Sequence, residues 1–275
     1  MERVNILKAK ISYKDFFKVY GNIVSVLAGI ESFILIFIEI PDNKKYCAAI
    51  INICVFILIL IVWYIIASNL TEKKISISGT QLTIKFGDLF TENGNKVISC
   101  NEYFDSIVDE KLISSKTLHG QVINKYIKDI DDFDNKILND MGCNASILSQ
   151  NKKKTLGKTT RYKLGTCFKY GEFIFVAFSK FDDQYRAHLD LPNYLYCLAN
   201  FWGELNRVYN GEDVIIPLLG SGITRFNNNR ITKQEQLSLL VDSLRYSNLS
   251  FTHDAKITII LPESLKDEIK LFNVN

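Results

Sequence analysis

The chain has 275 residues, which is enough for one large domain or for a domain with an accessory element. Its formal net charge is only +3 and its basic residues are dispersed, which argues against a nucleic-acid-binding protein. Six Cys form no C-x-x-C pair and three His lie far apart, so neither a disulfide framework nor a metal site is predicted. Apolarity is uneven, since residues 19–68 are almost entirely apolar and the rest has ordinary polarity.

The apolar part predicts a membrane domain over residues 1–70. Segments 19–40 and 47–68 each have about 20 residues, which as a helix cover about 30 Å, the thickness of the hydrocarbon core. The short polar link PDNKKY joins them into a hairpin of two transmembrane helices. Basic residues in the flanks outnumber Lys44 and Lys45 of the link, which predicts that both termini and the following domain are cytoplasmic. Those of the flanks are Arg3, Lys8, Lys10, Lys14, Lys18, Lys73 and Lys74.

A carboxylate, Glu31, falls near the middle of the first span, where it is costly unless protonated, paired or facing water. One interpretation is a hydrogen bond to a neighbouring helix through Asn52 or Ser32. The other is that Glu31 faces the interior of an oligomer that admits water or ions. Both predict helix association, because two helices per chain cannot enclose a pore, and both make Glu31 a candidate for the membrane function.

From residue 71 onward the pattern is that of an α/β domain. Apolar alternation predicts strands at 73–79 and 81–87, followed by a strand at 95–100 and a helix over 120–141. The basic loop 151–165 is predicted to be a solvated face, or to be attracted to the anionic inner leaflet.

The second half of the domain repeats this alternation. Strands are predicted at 171–179, 213–219 and 255–261, and helices at 191–209 and 263–272. Thr232 and Glu235 form a capping box that opens a further helix. Strands apolar on both faces and alternating with helices predict a three-layer α/β/α domain with a mixed central sheet, spanning 71–275.

Ligands of such sheets bind beyond the carboxyl ends of strands, and three segments there carry candidate residues. In the first, FGDLF, Asp88 follows a strand and a glycine and has an oxygen that suits an exocyclic amine such as that of adenine. The alternative is a turn-forming aspartate.

The second segment joins Asn101, at a strand end, to the loop and helix start SSKTLHG. A helix N-terminus attracts anions, and the loop that leads into this helix carries the hydroxyls of serine and threonine and the positive charge of a lysine. The alternative is an ordinary polar loop. The candidate ligand-binding residues here are Asn101, Ser115, Lys116, Thr117, Leu118, His119 and Gly120.

The third segment, LGSGITRF, has two glycines that let backbone N–H groups form an anion nest. Arg225 offers a bidentate phosphate contact and Phe226 a cover for a base or sugar. The alternative is a glycine turn that ends a buried strand. The candidate residues here are Leu219, Gly220, Ser221, Gly222, Ile223, Thr224, Arg225 and Phe226.

The motifs GDL, SCNEYF, HGQVI and GSGITRF, in this order, resemble those of a macro domain over about residues 75–275. With two spans ahead of it, the chain is similar to the membrane effectors of Thoeris antiphage systems, which carry a ThsA-type macro domain. The resemblance implies a bacterial inner-membrane, multi-pass protein that catalyses nothing and needs no cofactor. It implies an ADP-ribose-derived messenger from a TIR-domain enzyme, with histidine-ADP-ribose among the forms. It also implies that the messenger drives homo-oligomerisation, membrane disruption and abortive infection.

The departures from the macro pattern bear on the ligand. The second Asn of the family motif NAAN is absent, since Glu102, Tyr103 and Phe104 follow Asn101, and SSKT replaces the glycine run. A more crowded and polar loop favours a modified ADP-ribose and argues against de-ADP-ribosylation. The alternatives are a membrane-anchored ADP-ribosyl hydrolase or an ADP-ribose reader. Cys100 and His119 offer a Cys/His pair, which the predicted burial of Cys100 in a strand disfavours.

Overall fold

The computed structural model describes residues 10–222, 225–226, 231–247, 251 and 255–274, with the backbone alone given for 225–226. The chain divides into two compact units, Met1–Thr71 with Ile269–Asn275, and Glu72–Glu268. The sequence places the whole of 71–275 in the second domain. The structure instead assigns the described part of Ile269–Asn275 to the N-terminal unit.

Two helices, α1 (Tyr13–Leu35) and α2 (Lys45–Ser68), make up most of the N-terminal unit, with a short 3-10 turn at Asp42–Lys44 between them. Both are long and apolar enough to cross a membrane. The predicted bounds 19–40 of the first span are wrong for the helix. The Ser12 hydroxyl accepts from Asp15 N and so begins α1 earlier. The helix ends at Leu35, and Pro41 disfavours helical backbone only at the residue before it, at the end of the predicted span.

Glu31 is paired across the hairpin. The Asn52 amide of α2 donates a hydrogen bond to Glu31 Oε1 of α1, which confirms the predicted partner. The Tyr20 hydroxyl donates to the Phe56 carbonyl at 3.0 Å in the same interface. The two helices are therefore joined by polar contacts inside their apolar stretch, where such groups need a partner.

A mixed nine-stranded sheet is the centre of the second unit. The order of its described strands is β1-β2-β11-β9-β3-β7-β8-β10, with β6 added on β7, while β4 and β5 form a separate ribbon. Neighbours from β2 through β11, β9 and β3 to β7 are parallel, so their carboxyl ends meet at one edge. The strands are β1 (Glu72–Ile77), β2 (Thr80–Phe86), β3 (Asn95–Asn101), β4 (Ile147–Gln150), β5 (Thr160–Tyr162), β6 (Cys167–Tyr170), β7 (Phe173–Phe181), β8 (Ala187–Leu189), β9 (Val214–Pro217), β10 (Arg225–Phe226) and β11 (Ile257–Leu261).

Helices cover both faces, which confirms the three-layer prediction. On one face lie α3 (Leu118–Tyr126), α4 (Ile130–Asn139) and α5 (Met141–Ala145), whose apolar residues share a core cluster with Phe173 and Phe175. On the other lie α6 (Leu191–Val208) and α7 (Lys233–Tyr246), where Phe178 packs against Tyr194 with ring centroids 5.8 Å apart. The predicted capping box of Thr232 and Glu235 opens α7.

Two predicted helices are wrong. The helix over 120–141 is divided into α3, α4 and α5, because the carboxylates of Asp129 and Asp140 each accept a backbone N–H and cap a new helix. The final helix over 263–272 is replaced by 3-10 turns at Glu263–Leu265 and Leu271–Asn273. Its apolar side chains are divided between the two units, so no single helical stripe forms.

The prediction of a solvated basic loop at 151–165 is also wrong for its central residues. Lys154 is only 3% exposed and pairs with Asp105, 0% exposed, at 2.9 Å. Lys158 pairs with Asp134 at 2.5 Å, and Arg161 Nε donates to Glu102 at 2.6 Å. We call these three pairs the polar clamp. Through Asp105 and Glu102 it fixes the chain that follows Asn101.

Candidate functional site

A cavity of about 370 Å³ opens at the carboxyl edge of the parallel strands. Its walls include Asn101 at the end of β3, Phe181 at the end of β7, Pro217 at the end of β9 and Pro262 just after β11. This volume lies within the range of small-molecule sites. The position agrees with the rule that ligands of such sheets bind beyond strand ends.

The cavity brings together two of the three predicted segments. Residues of the second and third segments that line it are Asn101, Lys116, Thr117, Leu118, His119, Gly220, Ser221 and Gly222. Ile223 and Thr224 lie outside the described residues. Arg225 and Phe226 form β10, and their side chains also lie outside the description. Their backbone pairs in parallel with His188 and Leu189 of β8.

The remaining four predicted residues do not line the cavity. Asp88 is exposed, and its carboxylate accepts from Phe90 N at 3.0 Å at the start of a 3-10 turn. Ser115 N donates to Glu110 Oε1 at 2.9 Å. Gly120 faces the Ser114 carbonyl, and Leu219 is buried with its carbonyl accepting from Tyr194 OH. All four follow or adjoin the same sheet edge, so they support the cavity wall or flank it.

Asn101 is held rigidly at the cavity floor. Its Oδ1 accepts from Tyr103 N at 2.9 Å and from Asp105 N at 3.4 Å, and the residue is 4% exposed. Its Nδ2 has no partner among the described residues. The amide N–H groups are therefore the donors that Asn101 offers to a ligand.

The N-terminus of α3 forms a second wall. Thr117 Oγ1 accepts from Gly120 N at 3.0 Å and donates to the Ser114 carbonyl at 2.7 Å. A Cβ at Gly120 would lie 2.2 Å from Ser114 O, so only glycine lets the loop pack this closely. The N–H groups of Leu118 and His119 have no partner among the described residues. Free donors at a helix N-terminus bind anions such as phosphate.

His119 carries an unsatisfied polar atom at this wall. The residue is 5% exposed, lines the cavity, and its buried Nε2 has no hydrogen-bond partner among the described residues. Burial, reinforced by the positive charge of Lys158, lowers the pKa of His119 to about 3. The imidazole is therefore neutral at physiological pH. A buried ring nitrogen without a partner indicates a ligand that supplies one.

We expect His119 to make the chain sensitive to mild acid. A histidine with a depressed folded pKa stabilises the fold above the unfolded pKa, about 6.5, and this contribution is lost as the pH falls from there towards 3. Between pH 7.5 and 5.0 the loss is about 2 kcal/mol. Melting temperatures of the full chain in detergent should fall more for wild type than for His119→Leu. His188→Leu is the control, and equal falls in wild type and His119→Leu would contradict the expectation.

The Gly-Ser-Gly turn forms the third wall. Gly220 has φ +83°, which glycine adopts without strain, and Ser221 N donates to the Leu218 carbonyl at 3.1 Å. Within the described ranges the N–H groups of Gly220 and Gly222 have no partner, so they are the donors that this turn offers to an anion. Lys233 Nζ, at the start of α7, donates to the Ser221 carbonyl at 2.9 Å.

Lys233 is a site residue that the sequence reasoning missed. Burial lowers the pKa of Lys233, and the charge of Glu268 opposes this shift. In the sequence Lys233 lies inside the capping box of Thr232 and Glu235, and its partner Ser221 is 12 positions away. A partly buried ammonium behind the turn both fixes its shape and adds positive potential for an anionic ligand.

Cys100 and His119 both line the cavity, and neither is activated. Burial raises the pKa of the Cys100 thiol well above its usual value, although Lys158 opposes the shift. A base with a pKa of about 3 does not accept a thiol proton at neutral pH. The arrangement therefore suits hydrogen bonding to a ligand better than nucleophilic attack by Cys100.

Two further parts of the cavity wall were not predicted from the sequence. Phe178, Ser179 and Phe181 come from the end of β7, and Pro262, Ser264 and Leu265 follow β11. The rule on carboxyl ends of parallel strands would have identified both segments had the strand order been known.

Comparisons with known proteins identify the family of this chain. The model of the family "Thoeris protein ThsA, Macro domain" matches residues 82–262. The Thoeris protein ThsA of Bacillus amyloliquefaciens (strain Y2) is 36% identical over an alignment of 258 residues, and the match covers 91% of this chain and 86% of the relative. A solved Oceanobacillus iheyensis macrodomain with ADP has 13% identity and a TM-score of 0.46, covering 74% of this chain and 94% of its own. A mutant of that macrodomain with ADPR has 14% identity and a TM-score of 0.45, covering 72% and 93%. The family match and the curated relative show that this chain belongs to the Thoeris ThsA macro domain family.

Proposed function

We propose that this chain is the membrane effector of a Thoeris antiphage system, and that its cavity binds a nucleotide messenger without consuming it. The single observation that carries the proposal is the cavity itself. It places the Asn101 amide, the free N–H groups of α3 and the Gly220–Gly222 turn around one space. Those donors suit a ribose and a diphosphate, and family membership gives the context for them.

The ligand class follows from the same walls. The donors at α3 and at the glycine turn are neutral or cationic, which suits an anionic diphosphate, and Phe178, Phe181 and Leu265 add apolar surface. His119 Nε2 suits one polar group of the ligand, such as a hydroxyl or a substituent nitrogen. We therefore propose an ADP-ribose derivative made by a TIR-domain enzyme, with histidine-ADP-ribose as the first form to test.

The output we propose is a change in the membrane. The two apolar helices would insert in the bacterial inner membrane with both termini cytoplasmic, and messenger binding would drive homo-oligomerisation and loss of membrane integrity. Growth of the infected cell then stops, as in abortive infection. Glu31 is proposed to act in this step, since its link to Asn52 can be exchanged for contacts with another copy.

The test uses the full-length protein in detergent. Titration calorimetry should show one histidine-ADP-ribose or ADP-ribose bound per chain, and mass spectrometry should recover the nucleotide unchanged after overnight incubation. The proposal would be contradicted if neither histidine-ADP-ribose nor ADP-ribose bound to the protein. Conversion of an ADP-ribosylated substrate, lost in Asn101→Ala, would instead favour the membrane-anchored hydrolase.

A further inference from the structure

Residues 262–274 form a short C-terminal stretch whose first part belongs to the second unit and whose last part belongs to the N-terminal unit. Pro262, Ser264 and Leu265 line the cavity. The chain then continues through a hydrogen-bonded turn, in which Lys266 N donates to Glu263 O at 3.2 Å and Glu268 N to Leu265 O at 2.9 Å. From Ile269 onward the chain belongs to the N-terminal unit.

The C-terminal residues close the base of the helical hairpin, and we call residues 269–274 the C-terminal clasp. Asn273 Oδ1 accepts from Ser12 N at 2.7 Å, and Asn273 Nδ2 donates to the Lys10 carbonyl at 2.8 Å. Ser12 is the residue that caps α1. The clasp therefore contacts the point at which the first apolar helix begins.

The clasp also contacts the second helix. The Phe272 ring lies edge-on to Trp63 of α2, with centroids 5.9 Å apart, and edge-on to Phe16 of α1, with centroids 6.4 Å apart. Lys270 Nζ donates to the Ser68 carbonyl at the end of α2 at 3.4 Å. Phe16 is 5% exposed, so these contacts form the small buried cluster of this unit.

We propose that residues 262–274 transmit occupation of the cavity to the packing of the two apolar helices. Leu265 of the cavity wall and Ile269 of the buried clasp are separated by one hydrogen-bonded turn. A ligand that displaces Leu265 acts on a segment whose next residues hold the start of α1 and the end of α2, so the contacts of Phe272 and Asn273 are those that the displacement would strain or release. This inference rests on the proposed function for the identity of the ligand, and adds the route by which the ligand acts.

The first experiment breaks the clasp and leaves the cavity intact. Full-length protein in vesicles of phosphatidylethanolamine and phosphatidylglycerol is compared with the double variant Phe272→Ala/Asn273→Ala, with and without histidine-ADP-ribose. Hydrogen–deuterium exchange of the peptide around Ser12 and Phe16 should change at least about threefold on nucleotide addition in wild type. In the double variant this response should disappear, while nucleotide affinity stays within about twofold.

Tyr13→Ala is the matched control, because this ring is at the base of the same hairpin, is 69% exposed and should keep the wild-type response. A wild-type exchange response in the double variant would overturn the proposal. If wild type binds no nucleotide, the proposed function fails instead, and a second variant tests the route without any ligand.

Leu265→Trp is that second variant, since it enlarges the cavity wall in the free protein. Its peptide around Ser12 should differ in exchange from wild type at least about twofold. Leu138→Trp, which enlarges an exposed position on α4, should leave the same peptide unchanged. Unchanged exchange in Leu265→Trp would overturn the proposed route.

Discussion

Gly222→Glu should weaken nucleotide binding at least about 100-fold, or about 2.7 kcal/mol, while the fold keeps its stability. Gly222 lines the cavity, and a Cβ there would meet nothing within 4 Å. The new side chain therefore enters open space and brings a carboxylate to the wall where the diphosphate is proposed to bind. Repulsion between like charges in a partly enclosed site, together with lost volume, gives the expected loss.

Two control variants separate the contributions to this effect. Gly222→Ala should bind nearly as wild type does, because the position accepts a Cβ. Gly222→Gln has the size of glutamate without its charge and should bind better than Gly222→Glu. Calorimetry on the full chain measures affinity, and melting temperature measures stability. Wild-type affinity in Gly222→Glu would place the phosphates elsewhere, and equal losses in the Gln and Glu variants would assign the effect to size.

Local sequence patterns predicted those parts of the fold that depend on near neighbours. The alternation at β1 and β2 and the capping box of Thr232 and Glu235 are short-range signals, and the structure has them where expected. The helix over 120–141 was wrong because apolar spacing continues through Asp129 and Asp140, whose side chains cap new helices. Periodicity measures which face is buried, and it is insensitive to where a cap interrupts the backbone.

Long-range contacts account for what the sequence did not predict. The partner of Lys154 lies 49 positions away, so its charge looked solvated. The cavity walls at Phe181 and Leu265 depend on strand order, in which β11 pairs between β2 and β9. The glycine turn and the start of α3 were found because their residue types suit an anion site, independently of topology. Lys233 contacts that turn from the start of α7. In the sequence it is only the residue after the Thr232 cap, so nothing near it predicts the contact.

The second large effect, on stability, is expected from a substitution at Gly157, which lies against the Lys154–Asp105 pair of the polar clamp. This residue has φ +70°, and a Cβ there would lie 2.1 Å from Asp105 Oδ1 and 2.8 Å from Lys154 Nζ. Gly157→Ala must therefore separate a buried ion pair as well as strain the backbone. Breaking such a pair costs about 3–5 kcal/mol, whereas the left-handed backbone alone costs about 1–2 kcal/mol.

Gly171→Ala is the matched control, because Gly171 has φ +58° with nothing within 4 Å of its Cβ. The melting temperature of Gly157→Ala should lie about 6–12 °C below that of Gly171→Ala, which corresponds to roughly 3 kcal/mol. Lys154→Met should also destabilise strongly, since it leaves Asp105 buried without its cation, and adding Asp105→Asn should recover part of the loss. Equal melting temperatures of the two glycine variants would mean that the pair relaxes without cost.

The same variants connect the clamp to the cavity. Asp105 N donates to Asn101 Oδ1, and Lys158 N donates to Asp105 Oδ1 at 2.7 Å, so the clamp holds the turn that orients the Asn101 amide. We therefore expect Gly157→Ala to weaken nucleotide binding at temperatures where the protein is still folded, and Gly171→Ala to bind as wild type. A clamp that served stability alone would lower the melting temperature of Gly157→Ala without changing its affinity. Loss of both stability and affinity would show that these buried charges also orient the Asn101 amide for the ligand.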